Sequence, residues 1–184
     1  METVLNSFIL VAATEMGDKT QLLALVLALR FRNSKAVLSG IFVATILNHL
    51  LAAWVGNWVA QAIPSNYLRW ILGLLFMGFA LWVLIPDEDE NQVNEKRSGA
   101  FVTTVTLFFL AEMGDKTQLS TIALAAKYGD VVLVTIGTTL GMMFSDGLAV
   151  LFGEKLIQKV PMKAVRIFSA VLFFIFGLSV LFFE

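Results

Sequence analysis

The sequence predicts an all-α membrane protein of six transmembrane helices, arranged as two inverted three-helix repeats. Composition, apolar run length and internal duplication carry that prediction. Of 184 residues, 58% are hydrophobic and 15% charged, with a mean hydropathy of +0.83. Ordinary soluble domains run near half apolar and a quarter charged. Six apolar runs reach the roughly 20 residues that a helix needs to cross the hydrocarbon core. The second half of the chain repeats the first.

Composition also excludes several classes. A net charge of −1 leaves no basic surplus for nucleic acid. With no cysteine there is neither a disulfide framework nor a thiolate metal site. A single histidine excludes HExxH-type zinc centres, and no Gly-rich phosphate loop is present. A soluble enzyme is not expected, and no resident cofactor is implied.

The runs occupy 4–29, 36–63, 67–86, 100–126, 131–160 and 164–183. Several exceed the minimum, which implies tilt or a break. Met1-Glu2-Thr3 lacks the positive region and cleavage site of a signal peptide, so the first run is expected to be retained. The segment 87–99 is strongly polar and acidic, and reads as a solvated connector rather than a regulatory cation sensor. It divides the chain into a first repeat, 1–86, and a second, 100–184.

A shift of 97 positions aligns 15–86 with 112–183 without a gap, with 24 of 72 positions identical. Glu15-Met-Gly-Asp-Lys-Thr-Gln-Leu22 recurs letter for letter as Glu112-Met-Gly-Asp-Lys-Thr-Gln-Leu119. Three spans per unit is an odd number, so the second unit enters from the opposite side and the two lie inverted. Inverted repeats recur in secondary transporters, whose sites lie where the repeats meet. Positive loops set the orientation. Arg30, Arg32, Lys35, Lys96, Arg97, Lys155, Lys159, Lys163 and Arg166 fall on one side, against Arg69 and Lys127 on the other. The connector is therefore expected in the cytoplasm and both termini outside, periplasmic in a bacterial inner membrane.

Glu15, Asp18, Lys19, Glu112, Asp115, Lys116 and Asp146 all fall near mid-span. Each costs about 2.5–3.5 kcal/mol at the bilayer centre even on a lenient scale. They must face one another, water or an ion. In an unbroken helix, Glu15, Asp18 and Lys19 share one face, and Gln21 extends it with an amide oxygen. Gln118 does the same in the second copy. Gly17 and Gly114 permit close helix approach, or a break that frees carbonyls for an ion.

Each lysine is expected to neutralise one carboxylate of its own motif, leaving −1 per motif and −2 together, the complement of one divalent cation. The bland alternative is a static pair of Glu–Lys bridges. The available oxygens, including the Thr20 and Thr117 hydroxyls, suit Mg²⁺, Ca²⁺ or Mn²⁺ better than soft metals. Asp146 is the candidate for proton or ion coupling. Its repeat counterpart His49 either carries protons or makes an interhelical hydrogen bond near Asn48. Gly137-x-x-x-Gly141, echoed by Gly40-x-x-x-Ala44, reads as a close helix-packing face.

The doubled Glu-x-Gly-Asp-Lys-Thr block, in two three-span halves joined by an acidic linker, resembles one family of cation transporters. It includes Golgi and chloroplast manganese/calcium transporters and bacterial manganese exporters. The resemblance covers essentially the whole chain. It implies functional positions at Glu15, Asp18, Lys19 and Thr20 and at Glu112, Asp115, Lys116 and Thr117. It further implies Mn²⁺, in some members Ca²⁺, exported from the cytosol in exchange for protons. Competing readings are an exporter of small amines, a passive divalent-cation channel and, more distantly, an intramembrane enzyme. Divalent metal and the lipid bilayer are the expected partners; the oligomeric state does not follow from the residues.

Overall fold

The computed structural model describes residues 1–85, 99–152 and 162–182, with the side chain of Met162 excluded. Nearly all of the acidic connector and the end of the fifth predicted span therefore lie outside the described residues. Among those described, every regular element is helical. In chain order these are α1 (Glu2–Glu15), α2 (Lys19–Phe31), α3 (Ser34–Ala62), α4 (Ser65–Trp82), α5 (Ala100–Glu112), α6 (Lys116–Tyr128), α7 (Val131–Phe152) and α8 (Met162–Phe182).

Three described helices are by themselves long and apolar enough to cross a membrane: Ser34–Ala62, Val131–Phe152 and Lys163–Phe182. The predicted runs 4–29 and 100–126 are not continuous helices. Each is two short ones, α1 then α2 and α5 then α6, interrupted at Met-Gly-Asp. Glycine is the cause, because Gly17 has φ +88° and Gly114 φ +80°. A side chain in that region meets its own backbone, so glycine alone turns there without strain.

Packing is arranged by repeat. The broken pair α1–α2 lies on α7, and its counterpart α5–α6 lies on α3. Each repeat's long helix thus supports the other repeat's broken one. Helices α3 and α7 pack on each other at the centre, while α4 pairs with α8 outside. An aromatic cluster of Phe76, Phe79, Phe173 and Phe176 joins α4 to α8. Outward-facing Trp54, Trp58, Leu74, Leu81, Phe168 and Ile175 are exposed, whereas the motif acids are buried. That inside-out distribution belongs to a protein solvated by lipid.

The predicted small-residue face is a contact. A methyl at Gly137 would stand 2.6 Å from the Val4 carbonyl, and one at Gly141 2.8 Å from that of Phe8. Gly40 meets Thr104 on α5 in the same way, at 2.7 Å. These approaches set how deeply α1 and α5 sit against their supports. Gly141→Ala should lower stability by about 1–3 kcal/mol through overpacking. Gly78→Ala, where nothing lies within 4 Å, should be neutral or slightly stabilising. Thermal unfolding of the two variants in detergent measures the difference.

Candidate functional site

The site is built at the two breaks. Helix α1 stops at Glu15, Met16 is extended, Gly17 turns, and Asp18 caps α2. The Asp18 carboxylate accepts from the Lys19 backbone N–H at 2.8 Å. Gln21 reaches back, its Oε1 accepting from the Gly17 N–H at 2.8 Å. This is close to a capping box, with the N3 amide satisfying a donor just outside the helix. The second copy repeats it: Gln118 Oε1 accepts from Gly114 N–H at 2.7 Å, and Asp115 stands at the N-cap of α6.

This geometry corrects the expectation that Glu15, Asp18 and Lys19 share one helix face. Glu15 ends one helix and Lys19 begins the next. The two helix breaks, rather than helical spacing, bring the acids together.

Oxygens of Glu15, Glu112 and Asp115 lie within 4.8 Å of one another, and all three residues are buried. At that distance two carboxylates repel by about 3–4 kcal/mol at an effective dielectric of about 20. A divalent cation, protons or an ammonium group must relieve it. Glu15 accepts a hydrogen bond from Thr20 at 2.7 Å, and another from Thr117 of the other repeat. Both oxygens of Glu112 are buried without a hydrogen-bond partner among the described residues.

The lysines make contacts that the in-motif reading did not include. Lys19 reaches across to Asp115 of the other copy, with Nζ 3.6 Å from Oδ1 and its side chain about a third exposed. Lys116 is buried, donates to the Ile85 carbonyl at 3.2 Å and lies over the Trp82 ring. Asp18 falls outside the three-acid cluster. It lines a small cavity of about 20 Å³ together with Lys116 and Arg166. Arg166, counted among the positive loop charges, lies in the first turns of α8.

Asp146 and His49 are both fully buried, on α7 and α3, without hydrogen-bond partners among the described residues. Asp146 lies within electrostatic reach of Glu15. Asn48 bonds the Phe109 carbonyl at 3.0 Å rather than His49. Ser145, which the sequence reading did not single out, accepts from Gln21 Nε2 at its carbonyl (3.0 Å) and hydroxyl (3.2 Å). Its only signal was its place beside Asp146. Ser169 of α8 donates to the Ala13 carbonyl at 2.6 Å, satisfying backbone near the first break.

Helices broken at a buried carboxylate cluster, within a bundle whose apolar surface faces outward, define a membrane protein built to handle cations. Comparison with known proteins agrees. Residues 3–91 and 100–184 match the family described as "Divalent cation/proton antiporter GDT1". The chain belongs to that family. It is 41% identical over 184 residues to "Putative manganese exporter" of Vibrio cholerae, covering 100% of this chain and 92% of that protein. It is also 29% identical to "GDT1-like protein 3" of Arabidopsis thaliana, covering 97% and 70%. To "GDT1-like protein sll0615" of Synechocystis it is 27% identical, covering 92% and 91%. No solved structure matches the chain.

Around Gly114 there is open space, so a substitution there tests backbone conformation alone. Gly114→Ala should cost about 1–2 kcal/mol by forcing a β-carbon into the left-handed region. Cation binding, followed by calorimetry, should weaken with it as Glu112 and Asp115 lose register.

Proposed function

We propose that this protein is a secondary transporter that exports Mn²⁺ from the cytosol in exchange for protons. The observation that supports this reading is the meeting of Glu15, Glu112 and Asp115, from both copies of the block, within 4.8 Å at two helix breaks. Hard oxygen donors favour Mn²⁺, Ca²⁺ or Mg²⁺, and the name of the Vibrio cholerae relative favours manganese among them. The ion is substrate, and no resident cofactor is needed.

In this reading the spans number six, with α1–α2 and α5–α6 each crossing as a broken helix. The two three-helix repeats, 1–86 and 100–184, are inverted about the site. Both termini lie in the periplasm of a bacterial inner membrane, as the charge count requires. Glu15, Glu112 and Asp115 hold the cation, and Asp18 lies on the path to them. Thr20 and Thr117 complete the shell, while Gln21 and Gln118 hold the two breaks in shape. Lys19 neutralises Asp115 until the cation displaces it. Asp146 and His49 couple the cycle to protons. Alternating access around this single point moves the ion.

Glu112→Gln or Asp115→Asn should abolish ⁵⁴Mn flux in proteoliposomes while the purified protein keeps its helical content and thermal transition. Full flux in either variant overturns the shared site. Dependence of wild-type flux on an imposed pH gradient separates the exchanger from a passive channel. Transport of an organic amine that competes with Mn²⁺ would favour the amine exporter. A cysteine at Glu2 should label from outside intact cells and one at Lys35 only after permeabilisation. The reverse pattern would overturn the export direction.

A further inference from the structure

The two copies of the block are identical in sequence yet stand in different states. Glu15 accepts from both Thr20 and Thr117, while Glu112 accepts from neither. The helices behind them differ in the same sense. Gln21 is buried and tied at both ends, through Oε1 to the break at Gly17 and through Nε2 to Ser145 on α7. Ser145 aligns with Asn48 in the repeat, and Gln21 with Gln118. Gln118 holds its own break at Gly114 and is only half-buried. Asn48 keeps its Oδ1 buried without a hydrogen-bond partner among the described residues. An orphaned buried acceptor costs about 1–3 kcal/mol; a half-buried amide donor stands at the aligned position.

We propose that Gln21–Ser145 and Gln118–Asn48 are alternative latches, closed one at a time, which set which copy of the site is engaged. The inference rests on the transport reading above. With the first latch closed, α2 is held on α7 and the threonines serve Glu15. With the second closed, Gln118 Nε2 donates to Asn48 Oδ1, tying the start of α6 to the middle of α3, and the hydroxyls turn to Glu112. Ser145 and Asn48 immediately precede Asp146 and His49. Each latch therefore also positions the buried group next to it. These are positioning residues, acting through the break and the neighbouring side chain rather than on the ion.

The chain has no cysteine, so paired substitutions read the latches directly. Gln21→Cys with Ser145→Cys should crosslink in the cation-free protein. Gln118→Cys with Asn48→Cys should crosslink poorly there. Adding Mn²⁺ under a pH gradient should raise its yield about three- to tenfold, the population shift that one hydrogen bond supports. Either crosslink should stop ⁵⁴Mn flux, and a reductant should restore the flux of the uncrosslinked variant. With all four cysteines present, mass spectrometry should find one crosslink per molecule. Two crosslinks in one molecule, or a crosslinked protein that still transports, overturns the latches.

Should the cysteine pairs fail to fold, Ser145→Asn with Asn48→Ser exchanges the two partners conservatively. Labelling rates of a cysteine at Met113 and at Met16, compared in separate proteins, should then exchange order by a similar factor. Unchanged rates overturn the proposal. Absence of divalent-cation flux through the unsubstituted protein would instead overturn the transport reading, and the crosslink counts, read without flux, decide on the latches separately.

Discussion

The structure depends on interrupting a helix where an apolar bundle would otherwise keep it whole. Inside such a bundle the backbone satisfies itself, and nothing in the surroundings competes for its hydrogen bonds. Stopping it requires a residue that turns for little cost and side chains that take over the freed groups. Gly17 and Gly114 supply the turn, Asp18 and Asp115 stand at the N-caps, and Gln21 and Gln118 hold the exposed N–H groups. The acids at the ends of α1 and α5 then project where two helix ends meet, instead of along one helix side. Everything polar at the centre follows from that arrangement.

Burial sets the second constraint. Glu15, Glu112 and Asp115 crowd into a space where like charges cannot be left alone. Lys19 crosses to the other repeat, Lys116 reaches the Ile85 carbonyl and Trp82, and both threonines donate to one glutamate. Glu112 keeps two buried oxygens without hydrogen-bond partners among the described residues. A purely structural ion pair has no use for such a residue, whereas a binding site needs oxygens kept unsatisfied for an incoming ion.

Much of this was legible in the residues. The 97-residue duplication gave the pairing of α1–α2 with α5–α6, and Gly137, Gly141 and Gly40 announced close contacts that the structure contains. The lengths of runs 4–29 and 100–126 hinted at a break, but the face argument for Glu15, Asp18 and Lys19 assumed none. The signal was present: Asp-Lys-Thr-Gln, with an N-cap residue followed by an amide at N3, marks a helix start, and it occurs in both copies. What the sequence did not carry was register between helices. Thr117 reaching Glu15, Lys19 reaching Asp115 and Gln21 reaching Ser145 depend on how far α1 and α5 sink onto α7 and α3. Those depths are settled by packing many residues away.

Duplication explains why the site is lopsided. Three carboxylates, one from the first copy and two from the second, lie within 4.8 Å of one another, so the two copies do not contribute equally. One copy must be engaged and the other slack. Exchanging the roles remakes nearly the same contacts, because Glu, Gly, Asp, Lys, Thr and Gln are common to both blocks. The two lopsided arrangements are therefore close in energy by construction. Differential affinity shifts an equilibrium only when its states already lie within a few kcal/mol. The repeats diverge just behind the site, with Asn48-His49 opposite Ser145-Asp146. That divergence would give the two proposed states different proton chemistry beside an otherwise shared set of oxygens, which is the condition for one ion's passage to be tied to another's.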